Sequence, residues 1–579
     1  MITALRILLL LLSMLGFLAL LAEKFGVRIE FAPAVVCAGF SSVLLLAGYF
    51  NLLPFAAGGL WLTGIALLLL FGKKAFFHRR RNCAVVLVWA AVLGWFALLM
   101  KNAHFVEYDN FSHWATVVKA MLLGNRMPNF MDEIITFQSY PLGSSVFVYY
   151  VCRIIGTSDG CQLFAQILMI VSFLTALLVF AEKAKMAAAV LLVPLFTVSS
   201  LVMGVSFLSL HVDTLMPLAG VALFCMAATA EGESGVRQAV WAAMPLCIFL
   251  VNVKNSGIFF VVVYWVYWLI QNRASLVSRR KTTLLFAGCS VLAPLASMLL
   301  WKRHVALVFP AGAATKHSMS LAWFSSALGE KTPADMRGIG LSLLERVFSW
   351  QDPSLWILLA ATVLLLLVLV QKLLKRESPR VPVLSIAAVW GTWLVYLLSL
   401  YGMYLFSMPL KEAVVLASFD KYMSSVNIFI LGVAVIQTLR YWAADRIFWS
   451  LAVACVCLFP LYPFRENLPR LVIRQDYEST GRCQYQKFLR ENRVESGKSY
   501  FVYRSEDDSG YLFNLTRYEL WSSHVNVTSG EAGLAQYRDL FPRYDYLLVW
   551  NQDEHIQNYL REAGLQEYIS DKPAAIPMK

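Results

Sequence analysis

Long apolar runs restrict what this chain can fold into more than any motif does. About fourteen of them, each close to the roughly 20 residues that carry a helix across a bilayer, fall at 4–22, 32–50, 54–71, 83–100, 161–181, 187–205, 210–229, 239–251, 257–270, 284–301, 355–370, 383–401, 426–439 and 448–460. In hydrocarbon every backbone N–H and C=O must be bonded internally, so runs of this length and uniform apolarity fold as helices. The chain is 59% hydrophobic and 15% charged, where an average globular chain carries about 25% charged residues. The expected class is an α-helical polytopic membrane protein.

The net charge of +13 would raise the question of nucleic acid in a soluble chain. Here the cations crowd short loops between apolar runs: Lys73, Lys74 and Arg79–Arg81; Lys183 and Lys185; Arg273, Arg279, Arg280 and Lys281; Lys372, Lys375, Arg376 and Arg380; Arg440 and Arg446. All five loops fall on one side of the bilayer, which is therefore read as cytoplasmic, and no nucleic-acid partner is expected. The exterior then receives the connection from Glu107 to Asp159, the loop before Asp213, the turn at Lys254, the segments Lys302–Pro353 and Gly402–Ser425, and everything after Phe464. The first run, with Arg6 ahead of a leucine block, has the look of a secretory signal. Its removal near Ala22 would shift the Arg79–Arg81 loop outside, so it is read as a span with the N-terminus outside. The ten cysteines lie mostly inside apolar runs with no CxxC pair, and read as small buried hydrophobes.

Four polar stretches stand out on the exterior side. Glu107-Tyr-Asp-Asn-Phe-Ser-His-Trp114 sets two carboxylates one residue apart at a membrane edge. Phe111, Trp114, Val118, Met121 and Leu122 then recur at helical spacing, predicting an interfacial helix with Asn110 as its cap and His113, Thr116 and Lys119 off the apolar face. A second helix opens at Ser139-Tyr-Pro-Leu142 and runs to Ile155, with Pro141 in its first turn. Asn252-Val-Lys-Asn-Ser-Gly257 separates two short spans, and broken helices at membrane depth are tolerated where they line a cavity inside the protein. His211 and Asp213 open another span, and Ser418-Phe-Asp-Lys-Tyr-Met423 precedes a later one. Intramembrane ionisable residues are functional candidates by default. Plainer readings stand beside these: Glu107 and Asp109 as the polar edge of a span with Trp114 in the aromatic belt, Lys254 as a snorkelling lysine, Asp420 and Lys421 as a surface ion pair, and His211 and Asp213 as helix caps.

The acidic pair in the first exoplasmic loop, two juxtamembrane helices after it and the Tyr140-Pro141 step resemble the GT-C superfamily of polyprenyl-phosphate-sugar-dependent glycosyltransferases. Within it, Tyr108-Asp-Asn-Phe-Ser-His-Trp114 resembles the Trp-Asp-Glu-Phe-Ser-His-Trp string of a bacterial group. Asn252–Gly257 resembles a Lys-x-x-Gly turn and Phe419–Met423 a Phe-Glu-Arg-Tyr-Met string. Lys421 replaces the arginine of that string, and lysine supplies a point charge without the bidentate fork. The resemblance covers roughly Cys83–Phe464. It implies residues 1–82 as three additional helices, 83–463 as a GT-C-like core with juxtamembrane helices at 110–156, and 464–579 as an exoplasmic domain.

The implied activity is transfer of a sugar from a polyprenyl-phosphate-linked donor to a cell-envelope acceptor, be it glycan, lipid or protein. It would proceed with inversion, on the periplasmic face of a bacterial inner membrane. Asp109 is expected as the base that takes the acceptor proton, with Glu107 positioning the acceptor or sharing a divalent Mg or Mn ion with it; relatives differ in metal use. Lys254 and Lys421 are expected beside the donor phosphate, where positive charge stabilises the leaving group. His113, Tyr140, His211, Asp213, Asp420 and Tyr422 are further cavity candidates.

After Phe464 the composition turns polar. Strands are expected at 499–504, 517–526 and 544–550 and helices at 484–492, 531–540 and 554–563, giving a small α/β domain. Two other functions stay open. A polysaccharide ligase or polymerase with a lipid-diphosphate donor would use a large late external loop, and Lys302–Pro353 carries His304, His317 and Arg337. A flippase or transporter of lipid-linked sugars would show paired repeats and mid-span ionisable residues, neither of which is evident.

Overall fold

The computed structural model describes residues 2–181, 186–204, 207–230, 235–236, 238–272, 280–309, 321–441 and 446–579. Lys183, Lys185, Arg273, Arg279 and His317 lie outside the described residues. The chain divides into two compact units: Met1–Asn102, Gly124–Met127 and Gln138–Ile473 form the first, and Ala103–Leu123, Pro128–Phe137 and Arg474–Lys579 the second.

The first unit is helical. It opens with α1 (Ile2–Lys24), α2 (Ala32–Tyr49), α3 (Leu53–Gly72) and α4 (Arg80–Met100). The short α5 (Ala115–Gly124) belongs almost wholly to the second unit. There follow α6 (Gly143–Ile155), α7 (Asp159–Leu174), α8 (Met186–Met203), α9 (Leu215–Thr229), α10 (Met244–Val253) and α11 (Gly257–Gln271). The series closes with α12 (Arg280–Val308), α13 (Leu321–Gly329), α14 (Pro333–Val347), α15 (Pro353–Leu374), α16 (Arg380–Phe406), α17 (Phe419–Tyr441) and α18 (Arg446–Leu461).

Every apolar run read from the sequence holds a helix, the run at 210–229 only from Leu215, and nine helices among the described residues are long and apolar enough to cross a membrane. Four further runs give shorter helices, at Ala189–Met203, Leu215–Thr229, Ala239–Val253 and Gly257–Gln271, and the last bends by 96° between Ser450–Leu461 and Arg465–Leu471. The fold is that of a polytopic helical membrane protein.

Local chemistry sets many helix starts. Asp352 accepts from Ser354 N at 2.8 Å ahead of Pro353, Thr332 and Asp335 form a reciprocal capping box ahead of Pro333, and Ser158 accepts from Cys161 N. Small residues let α1 and α3 approach closely: a Cβ at Gly16 would lie 1.8 Å from Gly64 O, and Ser13 Oγ donates to Trp61 O at 2.8 Å. The basic loop after α3 is tied down by two buried glutamates. Glu23 meets Lys74 at 3.3 Å and Arg79 at 3.4 Å, and Glu30 meets Arg81 at 2.7 Å. Helix α6 was expected to lie along a surface, with Pro141 in its first turn. Instead Leu142 is the N-cap, Pro141 precedes it, and Gly143–Cys152 are buried on every side, with Ser41 Oγ donating to Gly143 O.

The second unit holds a four-stranded sheet in the order β2-β1-β3-β4, made of β1 (Tyr500–Arg504), β2 (Val525–Ser529), β3 (Tyr546–Val549) and β4 (Ala574–Pro577). β1 runs parallel to β2 and to β3, and β4 pairs antiparallel with β3. Its helices are α19 (Gly481–Glu491), α20 (Tyr511–Leu520), α21 (Gly530–Tyr537) and α22 (Glu554–Glu562). One sheet face packs Phe501, Tyr503, Leu547 and Val549 on Leu534, Ile556 and Leu560. The small α/β domain expected from the sequence is present. Its middle differs, because the strand expected at 517–526 is helix through Leu520 and strand only from Val525. Leu512, Leu515, Thr516, Tyr518 and Leu520 are buried in the helix, and this packing outweighs the β propensity of the aromatics. The strand β4 has no apolar alternation and exists through its pairing with β3.

The loop 103–123 also departs from expectation. Asn110 does not cap a helix; a wide helical turn, Asn110–Trp114, leads directly into α5, with Asp109 at the N-cap position making no side-chain cap bond. His113 and Thr116, placed on an exposed face by their spacing, are buried with Phe111, Trp114 and Val118. An interfacial helix would show one wet face, whereas residues 110–118 are buried, with Phe111 against Tyr511 and Tyr518 of α20.

Candidate functional site

In the helical unit, three segments remote in sequence meet where α9, α11 and α17 begin. The break between α10 and α11 is enforced sterically: Gly257 N donates to Lys254 O at 2.9 Å, and a Cβ at Gly257 would lie 2.0 Å from Leu250 O. Lys254 ends α10 in extended backbone (φ −159°, ψ 147°). Its ammonium reaches 2.8 Å from Asp213 Oδ1 and 4.9 Å from the centre of the Tyr422 ring. Asp213 is 7% exposed at its side chain and Lys254 20%, so the pair offsets a desolvation cost that either charge alone would bear in full. The segment bearing Asp213 is fastened through its main chain. Ser425 Oγ donates to Asp213 O at 2.8 Å, and Gln166 Nε2 donates to His211 O at 2.7 Å.

Beside this pair lies a second polar group. Arg346, at the end of α14, donates through Nη2 to Asp420 Oδ1 at 2.9 Å and Oδ2 at 3.1 Å, and its guanidinium sits 4.5 Å from the Phe419 ring centre. Arg346 Nε lies 3.9 Å from Asp352 Oδ2. Two tyrosines of α16 tie the approach to α17: Tyr396 OH donates to Tyr422 O at 2.9 Å, and Tyr404 OH to Ala417 O at 3.1 Å. Leu416 (φ 49°) and Ser418 (φ 59°) both occupy the left-handed region just before α17, a concentration of backbone strain of the kind found at functional sites.

Several candidates from the sequence thus come together: Asp213, Lys254 and Tyr422 in contact, with His211 buried in the same segment. Lys421 is half-buried, its carbonyl accepting from Ser424 Oγ and Ser425 Oγ. Asp420 gives both oxygens to Arg346. Tyr140 is half-buried in the turn before α6. Arg346, Asp352, Tyr396, Tyr404 and Ser425 were not singled out from the sequence. The spacing Tyr396, Leu400, Tyr404 marks one face of α16 and was a signal available there; nothing local marks Arg346.

The second unit carries Glu107 and Asp109, both half-buried, with Asn110 N donating to Glu107 O at 3.1 Å. This loop is held by α19 and α20. Arg482 Nη1 donates to Phe105 O at 2.8 Å, its guanidinium lies 5.1 Å from the Phe111 ring centre, and Tyr511 OH donates to Val106 O at 3.2 Å. Burial lowers the His113 pKa to about 3, with the nearby Asp109 charge acting the other way, so the ring is neutral at ordinary pH. Burial raises the Tyr511 phenol to about 12, with the Arg482 charge opposing and Glu107 adding to the rise. Lys119 Nζ donates to Tyr518 O and lies 4.4 Å from the Tyr518 ring centre. Among the described residues no group of three or more His, Cys, Asp or Glu side chains gathers to hold a metal. Glu107 and Asp109 would offer a divalent ion two carboxylates.

No family model and no curated protein sequence matches the chain. Among solved structures it is similar to that of ArnT from Cupriavidus metallidurans bound to undecaprenyl phosphate, at 12% identity over 82% of this chain and 94% of that one, with a TM-score of 0.38.

Proposed function

We propose that the protein is a membrane glycosyltransferase of the GT-C type that moves a sugar from a polyprenyl-phosphate-linked donor to a cell-envelope acceptor, with inversion at the anomeric carbon. The observation that carries this reading is the meeting of Asp213, Lys254 and Tyr422. Two stretches picked out for their resemblance to one superfamily, and a third picked out for its ionisable residues at a span's start, converge on a single cationic side chain at a broken helix.

In this reading Lys254, assisted by Lys421, neutralises charge on the phosphate as the sugar–oxygen bond breaks, a role that strengthens in a poorly solvated site. Asp109 takes the proton of the acceptor hydroxyl as that oxygen attacks the anomeric carbon; the phosphate departs with the bonding pair. Glu107 orients the acceptor. The reaction would take place on the periplasmic side of a bacterial inner membrane.

The test is an in vitro transfer assay with a defined polyprenyl-phosphate sugar and the purified full-length protein. Asp109→Asn is expected to lower transfer by about 10²–10⁴-fold with thermal unfolding unchanged; wild-type rates in that variant reject Asp109 as the base. A broken helix carrying a buried ion pair is also what a lipid-linked-sugar transporter would show. Sugar delivered intact to the opposite leaflet, with no glycosidic bond made, would select that function instead, and turnover only with a lipid-diphosphate donor would select a ligase or polymerase.

A further inference from the structure

The cation proposed to hold the donor phosphate is already occupied. Asp213 Oδ1 lies 2.8 Å from Lys254 Nζ, within the range of a charge-assisted hydrogen bond, and neutralises the charge that a phosphate would otherwise meet. Two anions sharing one lysine in a poorly solvated site repel each other strongly. A phosphate therefore binds fully to Lys254 only as Asp213 gives way.

The main chain around Asp213 is built to stay put while the side chain moves. The Asp213 carbonyl is held by Ser425 Oγ, the His211 carbonyl by Gln166 Nε2, and Tyr422, whose ring faces Lys254, has its own carbonyl held by Tyr396 OH. None of these bonds uses the Asp213 carboxylate, so rotation about its side-chain bonds leaves the anchoring intact. Asp213 does not cap α9 either, since the N-cap is Thr214 without a side-chain cap bond. Nothing in the helix start requires the carboxylate where it is.

We infer that Asp213 is an internal stand-in for the donor phosphate: it occupies Lys254 in the empty state, yields to the phosphate when donor binds, and returns to displace the lipid phosphate left after transfer. The inference rests on the proposed role of Lys254. Asp213 is here a positioning residue that weakens phosphate binding and speeds product release, whereas a purely structural counter-ion would only strengthen the site.

The two roles differ in the sign of an affinity change. Full-length protein in nanodiscs is titrated with undecaprenyl phosphate, and with phosphatidylglycerol and inorganic phosphate as comparison probes. Asp213→Asn, close to the same shape without the charge, is expected to bind undecaprenyl phosphate about tenfold tighter, the scale of one partly screened charge–charge interaction. Turnover with a sugar donor should show both KM and kcat lowered, as product release slows. Asp213→Ser should shift affinity in the same direction, which guards against a local packing defect in one variant. Unchanged or weaker binding in both variants, or equal tightening for phosphatidylglycerol, overturns the inference. Lys254→Met separates the two levels. If it weakens undecaprenyl phosphate binding while the Asp213 variants fail to tighten it, the proposed function stands and only the stand-in falls; if binding survives the loss of Lys254, both fall.

Discussion

Arg482 and Glu519 form an ion pair with Nε 2.6 Å from Oε1, 4% and 14% exposed, and the same guanidinium donates to the carbonyl of Phe105. One buried cation thus joins α19, α20 and the loop that bears Glu107 and Asp109. Removing one partner of such a pair leaves the other charge buried and uncompensated. Arg482→Met is therefore expected to destabilise the second unit by about 3–5 kcal/mol, read as early protease cleavage after 474 and a lowered unfolding temperature. Stability within about 1 kcal/mol of wild type would show that solvent already reaches the pair.

His113 gives the second unit an acid sensitivity. Its folded pKa, about 3, lies below the ordinary 6.5, so the unfolded chain binds the proton first. The stabilisation is complete above pH 6.5 and is lost progressively as pH falls from there towards 3, at up to about 1.4 kcal/mol per pH unit. His113→Gln should flatten that slope in denaturant melts; an unchanged slope assigns the acid sensitivity to other groups.

Gly257→Ala places a methyl group 2.0 Å from the Leu250 carbonyl oxygen, where backbone rather than a flexible side chain must move. The expected cost is about 1–3 kcal/mol, with the Lys254 turn displaced, read as a lowered unfolding temperature. Wild-type stability in that variant would mean that the α10–α11 break is not sterically fixed.

The contact of Arg346 Nη2 with both oxygens of Asp420 looks strong on distance alone, but Asp420 is 73% exposed and Arg346 39%. Solvent screening reduces such a pair to about 1 kcal/mol or less. Asp420→Asn should accordingly leave the unfolding temperature nearly unchanged, and a large drop would show that the first turn of α17 depends on this contact.

The sequence by itself determined the class of the protein. Apolar length points to helices, because a single segment of this length in hydrocarbon satisfies its own backbone hydrogen bonds only as a helix, and every run read from composition holds one. Polar composition after Phe464, with alternating strand and helix patterns, determined the α/β unit apart from β4 and the register near Leu520. Those two failed because β4, a short strand without alternation, is created by its pairing with β3, and because the burial of Leu512, Leu515 and Tyr518 in a helix outweighs local propensity. Sequence also picked out these residues one at a time, Asp213 as an ionisable residue in apolar surroundings, and Lys254 and Tyr422 through the strings they sit in.

Only the tertiary structure decided what those residues do to each other. That Lys254 is neutralised by Asp213, that Asp420 turns to Arg346, and that the acid loop 103–123 groups with the C-terminal unit all depend on contacts between segments tens to hundreds of residues apart. Periodicity reports how a segment meets an apolar or aqueous surrounding. It carries no information about which distant charge completes a pair, because that is set by where the packed helices and strands deliver their ends.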